Sequence, residues 1–133
     1  EKKYNFKNLT TNILIPTSLA LVSGYYFFGK ELIEIIAGNG FSDSYTPMMI
    51  LLIGYISYYI TFWTRHFLLL NDLILKHTKG RIVNLTIFIS TSPFLISNYG
   101  FNGIAIAISL SIVFQKIYEL SVFFKNKNIE NNI

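Results

Sequence analysis

The most constraining feature of the sequence is a gap in its charges. Between Arg81 and Lys116 the chain runs for 34 residues without a formal charge. As a single helix at about 1.5 Å per residue, that run would reach about 50 Å, well past a hydrocarbon core of roughly 30 Å. Asn98-Tyr99-Gly100-Phe101-Asn102-Gly103 divides it, because glycine and asparagine accept the backbone geometry of tight turns. The run therefore reads as a helical hairpin. Its outer ends borrow a turn from charged ground near Lys79–Arg81 and Lys116–Phe124, where Lys and Arg extend toward water. Two further stretches, Leu9–Gly29 and Ser44–Thr64, also carry no charge and are each long enough to cross a bilayer. Charged residues make up 14% of the chain and hydrophobic ones 52%, too little charge to solvate a water-soluble bundle of four such helices. The expected fold is all-α, an integral membrane bundle of four transmembrane helices. The spans fall at about 9–29, 46–72, 80–98 and 102–124 within a segment 1–124, with a polar tail 125–133.

The positions of the basic residues set the expected orientation. Lys2, Lys3 and Lys7, then Arg65, Lys76, Lys79 and Arg81, then Lys116, Lys125 and Lys127 fall on one side of a four-span chain. Only Lys30 falls on the other, beside Glu31, Glu34 and Asp43. Both termini are predicted to be cytoplasmic in a multi-pass protein of the cell membrane, with the lipid bilayer as its first partner. The net charge of +4 is then a positive-inside bias, and no basic-aromatic groove or motif points to nucleic acid. The absence of cysteine excludes disulfides, thiol catalysis and cysteine-based zinc sites. His66 and His77 lack a carboxylate third ligand, so no metal site is expected. No His, Asp or Glu cluster has catalytic spacing, which argues against an enzyme and against a cofactor. The opening Glu1-Lys2-Lys3, without a start methionine, reads as the edge of a fragment, and the asparagine-rich tail Asn126–Ile133 reads as frayed.

Local patterns refine this frame. Pro16 is expected to kink the first span. Glu31 and Glu34 share one side of Lys30–Ile36, with Leu32, Ile33, Ile35 and Ile36 largely on the other. That pattern fits a short amphipathic helix or an extension of the span, ended by Ala37-Gly38-Asn39-Gly40. Ser44 is the expected cap of the second helix, with Pro47 in its first turn. Along that helix Tyr58, Thr61, Arg65, Asp72 and Lys76 fall within about 40° of Gly54, and the opposite face is apolar. Arg65 then sits near the inner boundary of the core. It either extends to the interface or lines an inward-open cavity with Tyr58 and Thr61. Asp72 and Lys76 are expected to form an exposed pair one turn apart. In the fourth helix Gly103, Ala107 and Ser111 repeat every four residues, as do Ala105 and Ser109, a spacing that lets helix backbones approach closely in lipid. Ser90, Thr91 and Ser92 can satisfy backbone groups beside Pro93 in the third.

These residues carry a family resemblance. Asn98-Tyr99-Gly100-Phe101-Asn102-Gly103-Ile104-Ala105-Ile106-Ala107 resembles the terminal hairpin of the polysaccharide flippases. These are the O-antigen and teichoic-acid type transporters of the multidrug/oligosaccharidyl-lipid/polysaccharide export superfamily. Phe28-Gly29-Lys30-Glu31-Leu32-Ile33 with Ala37-Gly38-Asn39-Gly40-Phe41 is similar to the outer segment of that family. Pro47–Leu70 is similar to its long following helix, and Lys79-Gly80-Arg81 to its basic inner turn. The resemblance implies part of a MATE-like C-terminal lobe, the last four helices of a longer transporter whose remainder is its partner. It implies flipping of a lipid-linked oligosaccharide, an undecaprenyl-linked polysaccharide precursor, across the cytoplasmic membrane by alternating access. Arg65, Tyr58 and Thr61 would hold the anionic diphosphate and sugar, and Gly103, Ala107 and Ser111 would pack the helices. A multidrug-exporter-like fragment, whose only available acidic coupling residue would be Asp72, and a self-contained four-span accessory or immunity-like membrane protein are the alternative readings.

Overall fold

The computed structural model describes the backbone of residues 10–130 and the side chains of residues 12–126. Lys2, Lys3 and Lys7, the opening of the chain and the last three residues lie outside the described residues. Every regular element among the described residues is helical, so the protein is all-α. A π-turn, Thr10–Leu14, leads into α1, Ile15–Ala37, with Pro16 in the first turn, where its missing N–H costs nothing. The amphipathic Lys30–Ile36 segment is a continuation of α1. Gly38, at φ 92°, ends it, and its N–H donates to the Glu34 carbonyl at 3.0 Å. A 3-10 turn, Asn39–Ser44, passes directly into α2, Tyr45–Ile60. Ser44 precedes α2 but makes no side-chain capping bond, because the chain is already helical when it arrives.

The long second helix expected from the sequence is broken twice. At Thr61 (φ −106°, ψ 15°) the axis is interrupted, and α3 follows as Phe62–Leu70. The Thr61 hydroxyl donates back to the Ser57 carbonyl at 2.6 Å, the local bond by which Ser and Thr compete with and bend a helix. The second break follows Leu70. Asp72 takes φ 55°, and the Leu73 N–H reaches back to the Leu68 carbonyl at 2.8 Å, a left-handed helix stop. The expected Asp72–Lys76 pair does not form, since the residues flank a break and Lys76 instead donates to the Asn126 amide oxygen at 3.4 Å.

The final element, α4, Ile74–Glu130, folds on itself at Gly100 (φ 55°, ψ −129°), backbone geometry that only glycine adopts cheaply. Its arms, 74–99 and 101–130, lie side by side and antiparallel. A Cβ at Gly103 would overlap the Leu95 carbonyl, and His77 meets Glu119 farther down. The hairpin expected around Asn98–Gly103 thus turns on one residue, and helix occupies both sides of it. The second arm runs to Glu130, so part of the tail read as frayed is helical. Ser90 and Thr91 donate to the Thr86 and Ile87 carbonyls in the turns before Pro93.

The 101–130 arm is central. Gly103, Ala105, Ala107 and Ser111 are buried along it. The Ser109 hydroxyl donates to the Ile50 carbonyl of α2 at 2.9 Å. Gly54 faces Ser109 so closely that a Cβ there would stand 2.6 Å from the hydroxyl. Tyr25 of α1 stacks on Tyr45 at the start of α2, with ring centroids 5.4 Å apart. At the opposite end Leu14, Trp63 and Phe123 form an apolar cluster with Phe62, Phe67 and Leu120. The outer surface is strongly apolar, with Phe27, Ile35, Ile36, Leu70, Leu75, Phe94 and Phe101 each at least 70% exposed. Two stretches, Asn39–Leu70 and Ile74–Asn126, are long and apolar enough to cross a membrane. The last third of α1 carries three charged residues, Lys30, Glu31 and Glu34.

Candidate functional site

The four-residue stripe on the 101–130 arm does not stop at Ser111. It continues through Gln115 and Glu119 to Phe123, all buried. Small residues let the backbones meet in the upper part. Lower down the stripe brings a carboxylate into the interior, and Glu119 is fully buried. A buried charge is tolerated only when paired and hydrogen-bonded. Four side chains from three segments supply this. Lys116 donates to Oε2 at 2.7 Å and is itself 2% exposed. Gln115 donates through Nε2 to Oε1 at 2.8 Å, and His77 Nδ1, from the 74–99 arm, lies 3.1 Å from the same oxygen. The Thr64 hydroxyl of α3 lies 3.2 Å from Oε2 and 2.7 Å from the Thr61 carbonyl, with one proton to share between them. The Lys116 ammonium stands 4.2 Å from the centroid of the Tyr58 ring of α2, a cation–π contact. Phe123 closes the knot below, edge-on to Trp63 and Phe67 with centroids 4.8 and 4.6 Å away.

Two clefts flank this knot. One, of about 320 Å³, is polar and lined by Tyr58, His77, Arg81, Asn84, Leu85 and Gln115. The other, of about 540 Å³, is apolar and aromatic and is lined by Leu14, Tyr55, Tyr58, Tyr59 and Phe62. Tyr58 belongs to both. His77 and Gln115 belong both to the polar cleft and to the partners of Glu119, so the buried carboxylate is one side chain away from the cleft. Arg81 has no ion pair or hydrogen bond among the described residues.

Of the three cavity residues expected from the sequence, Tyr58 stands where the clefts meet. Thr61 is half-buried at the helix break, its hydroxyl spent on Ser57. Arg65 is exposed and lines neither cleft. The break at Thr61 is the reason: beyond it the inward face passes through Thr64 and Leu68, both fully buried, instead of continuing the Gly54 line to Arg65. Gly103, Ala107 and Ser111 all lie buried along the central arm. Lys116, expected to extend toward water, points inward instead, because Glu119 one turn later gives it a partner. His77, Arg81, Gln115 and Glu119 escaped the sequence reading. The available signal was the four-residue spacing carried past Ser111 to Gln115 and Glu119. Comparison with protein-family models, with curated proteins and with solved structures finds no match for this chain.

Proposed function

We propose that this chain is a membrane-embedded helical part of a transporter that carries a lipid-linked oligosaccharide across the cytoplasmic membrane. In this reading α1, α2 with α3, and the two arms of α4 are four spans, with both termini cytoplasmic. The observation that carries it is the meeting of two unlike clefts at Tyr58. A cationic, polar cleft beside an aromatic, apolar one suits an amphiphile with a charged head and an extended apolar or sugar portion. Charged groups held inside apolar helices characteristically mark substrate or ion pathways. The exposed apolar side chains of α1 and of the 74–99 arm suit lipid and the remaining helices of a longer transporter. The sequence resemblance to polysaccharide flippases supplies the substrate class. In this reading Arg81, which lines the polar cleft, takes the cationic role in place of Arg65.

Deletion of the gene tests this reading. Lipid-linked oligosaccharide should accumulate in the cytoplasmic leaflet, shielded from a lectin added to intact cells, and surface polysaccharide should fall. Unchanged pools and unchanged surface polysaccharide would overturn it.

A further inference from the structure

Asparagine followed by glycine occurs twice in the chain, at Asn39-Gly40 and at Asn102-Gly103. The dipeptide is reactive because the amide nitrogen of the second residue can attack the asparagine side-chain carbonyl. Glycine, lacking a Cβ, neither crowds that attack nor restricts the backbone rotation it needs. The fold places the two copies in opposite settings. Asn39 and Gly40 are both exposed and open the 3-10 turn Asn39–Ser44. An N–H in the first turn of a helical segment has no carbonyl partner within that segment. The Gly40 N–H and the Asn39 side-chain amide make no hydrogen bond among the described residues. Gly38, at φ 92°, uncouples the turn from α1, and nothing lies within 4 Å of where a Gly40 Cβ would stand. Asn102 and Gly103 sit instead in the first turn of the central arm. Gly103 is buried, and a Cβ there would overlap the Leu95 carbonyl. Backbone rotation at Asn102 would drive the arm into its neighbour, whereas rotation at Asn39 meets open space.

We propose that Asn39 is a site of spontaneous covalent modification, converting to isoaspartate and aspartate while Asn102 stays intact. The Gly40 amide nitrogen gives its proton to solvent and bonds to Asn39 Cγ. The Asn39 side-chain nitrogen takes a proton from solvent and leaves as ammonia, and a succinimide ring remains. Water then adds to one of the two ring carbonyls. Breaking the bond between Cγ and nitrogen gives aspartate. Breaking the bond between the main-chain carbonyl carbon and nitrogen gives isoaspartate, whose main chain runs through Cβ and Cγ. The balance is one water in and one ammonia out, with no oxidant or reductant. Either product adds a negative charge to a segment that already exposes Glu31, Glu34 and Asp43. Isoaspartate also lengthens the main chain between the Gly38 carbonyl and the Phe41 N–H, which bond at 3.1 Å and close the turn. α1 packs on α2 and on this turn, with Gly29 fitted against the stacked rings of Tyr25 and Tyr45. The modification therefore loosens the end of α1 from α2. It stands independently of the transport reading.

The test is peptide mapping by mass spectrometry. The purified full chain in phosphatidylcholine nanodiscs is aged at mildly alkaline pH and sampled over time. The Asn39 peptide should gain the mass that separates a carboxyl from a carboxamide and split into two products, with isoaspartate the larger. Electron-transfer fragmentation identifies isoaspartate by its rerouted main chain. The Asn102 peptide should stay unchanged over the same period. In the denatured chain both sites should convert at similar rates, which assigns the difference to the fold. Gly40→Ala, for which the structure has room, should slow conversion of Asn39 about tenfold or more, a rise of about 1.4 kcal/mol in the barrier. Equal rates at the two sites in the folded chain, or undiminished conversion in Gly40→Ala, would overturn the site. Hydrogen exchange then compares the aged chain with fresh Asn39→Asp, which carries the charge without the longer main chain. Faster exchange over residues 33–37 in the aged chain alone supports loosening by the lengthened turn. Equal exchange in the fresh and aged chains would overturn the loosening.

Discussion

The upper and lower halves of the buried stripe on the central arm use one spacing for opposite ends. From Gly103 through Ala107 to Ser111 the residues are small, and neighbouring backbones come into contact, as at Gly54 against Ser109 and Gly103 against Leu95. From Gln115 through Glu119 to Phe123 the residues are large, the neighbouring helix is broken at Thr61, and the space between segments holds a charged knot and opens into two clefts. Four-residue spacing fixes which face of a helix is buried. The size and charge of the residues then decide whether that face seals the helices together or holds them apart around polar groups. The dry half derives its stability from dispersion and close approach. The charged half depends on every member of its network being present.

The largest expected effect comes from breaking the charged half. Glu119→Ala leaves the Lys116 ammonium buried with no carboxylate, and removing one partner of a buried pair costs about 3–5 kcal/mol. A thermal melt in detergent should fall steeply. Replacing both partners together, Glu119→Leu with Lys116→Met, should recover part of the loss, because apolar residues of similar volume are often tolerated where an ion pair is removed whole. A melt unmoved by Glu119→Ala would show that Lys116 is solvated and that the two halves do not differ in kind.

A smaller effect is expected in the dry half. Ala107 is fully buried, so Ala107→Leu must push the central arm away from its neighbours, at a cost of about 1–3 kcal/mol from overpacking. The same detergent melt measures it. An unchanged midpoint would place Ala107 on a lipid-facing surface and remove the distinction from that side.

The sequence made the dry half legible and hid the charged one. Glycine and asparagine between Asn98 and Gly103 announce a turn by their chemistry, and the small residues after it are regular enough to mark a seam. Gln115 and Glu119 continue the same period. Lys116 beside them, however, looks like the cytoplasmic end of a span, and the other partners that hold Glu119 inside, His77 and Thr64, come from 42 and 55 residues away. No local pattern ties them together. The break at Thr61 was equally silent, having no glycine or proline to signal it, only a hydroxyl bonded back to Ser57. An unbroken helical wheel therefore carried Arg65 onto the inward face, where the structure has Thr64 and Leu68.

Thr64 gives the finest test, because it touches both the break and the charge. Its hydroxyl stands between the Thr61 carbonyl and Glu119 Oε2. Thr64→Val keeps the shape and removes that group. The Thr61 carbonyl keeps the Thr64 backbone N–H at 3.0 Å, and Glu119 keeps Lys116, Gln115 and His77, so neither acceptor is orphaned. The loss should therefore be about 0.5–1.5 kcal/mol, the net worth of one hydrogen bond, well below that of Glu119→Ala. Combined with Glu119→Gln in a double-mutant cycle, the two changes should be non-additive, since they share one bond. Additivity would mean that the Thr64 proton goes wholly to Thr61. The hydroxyl would then serve the helix break alone, and the charged half would be held by the three remaining donors.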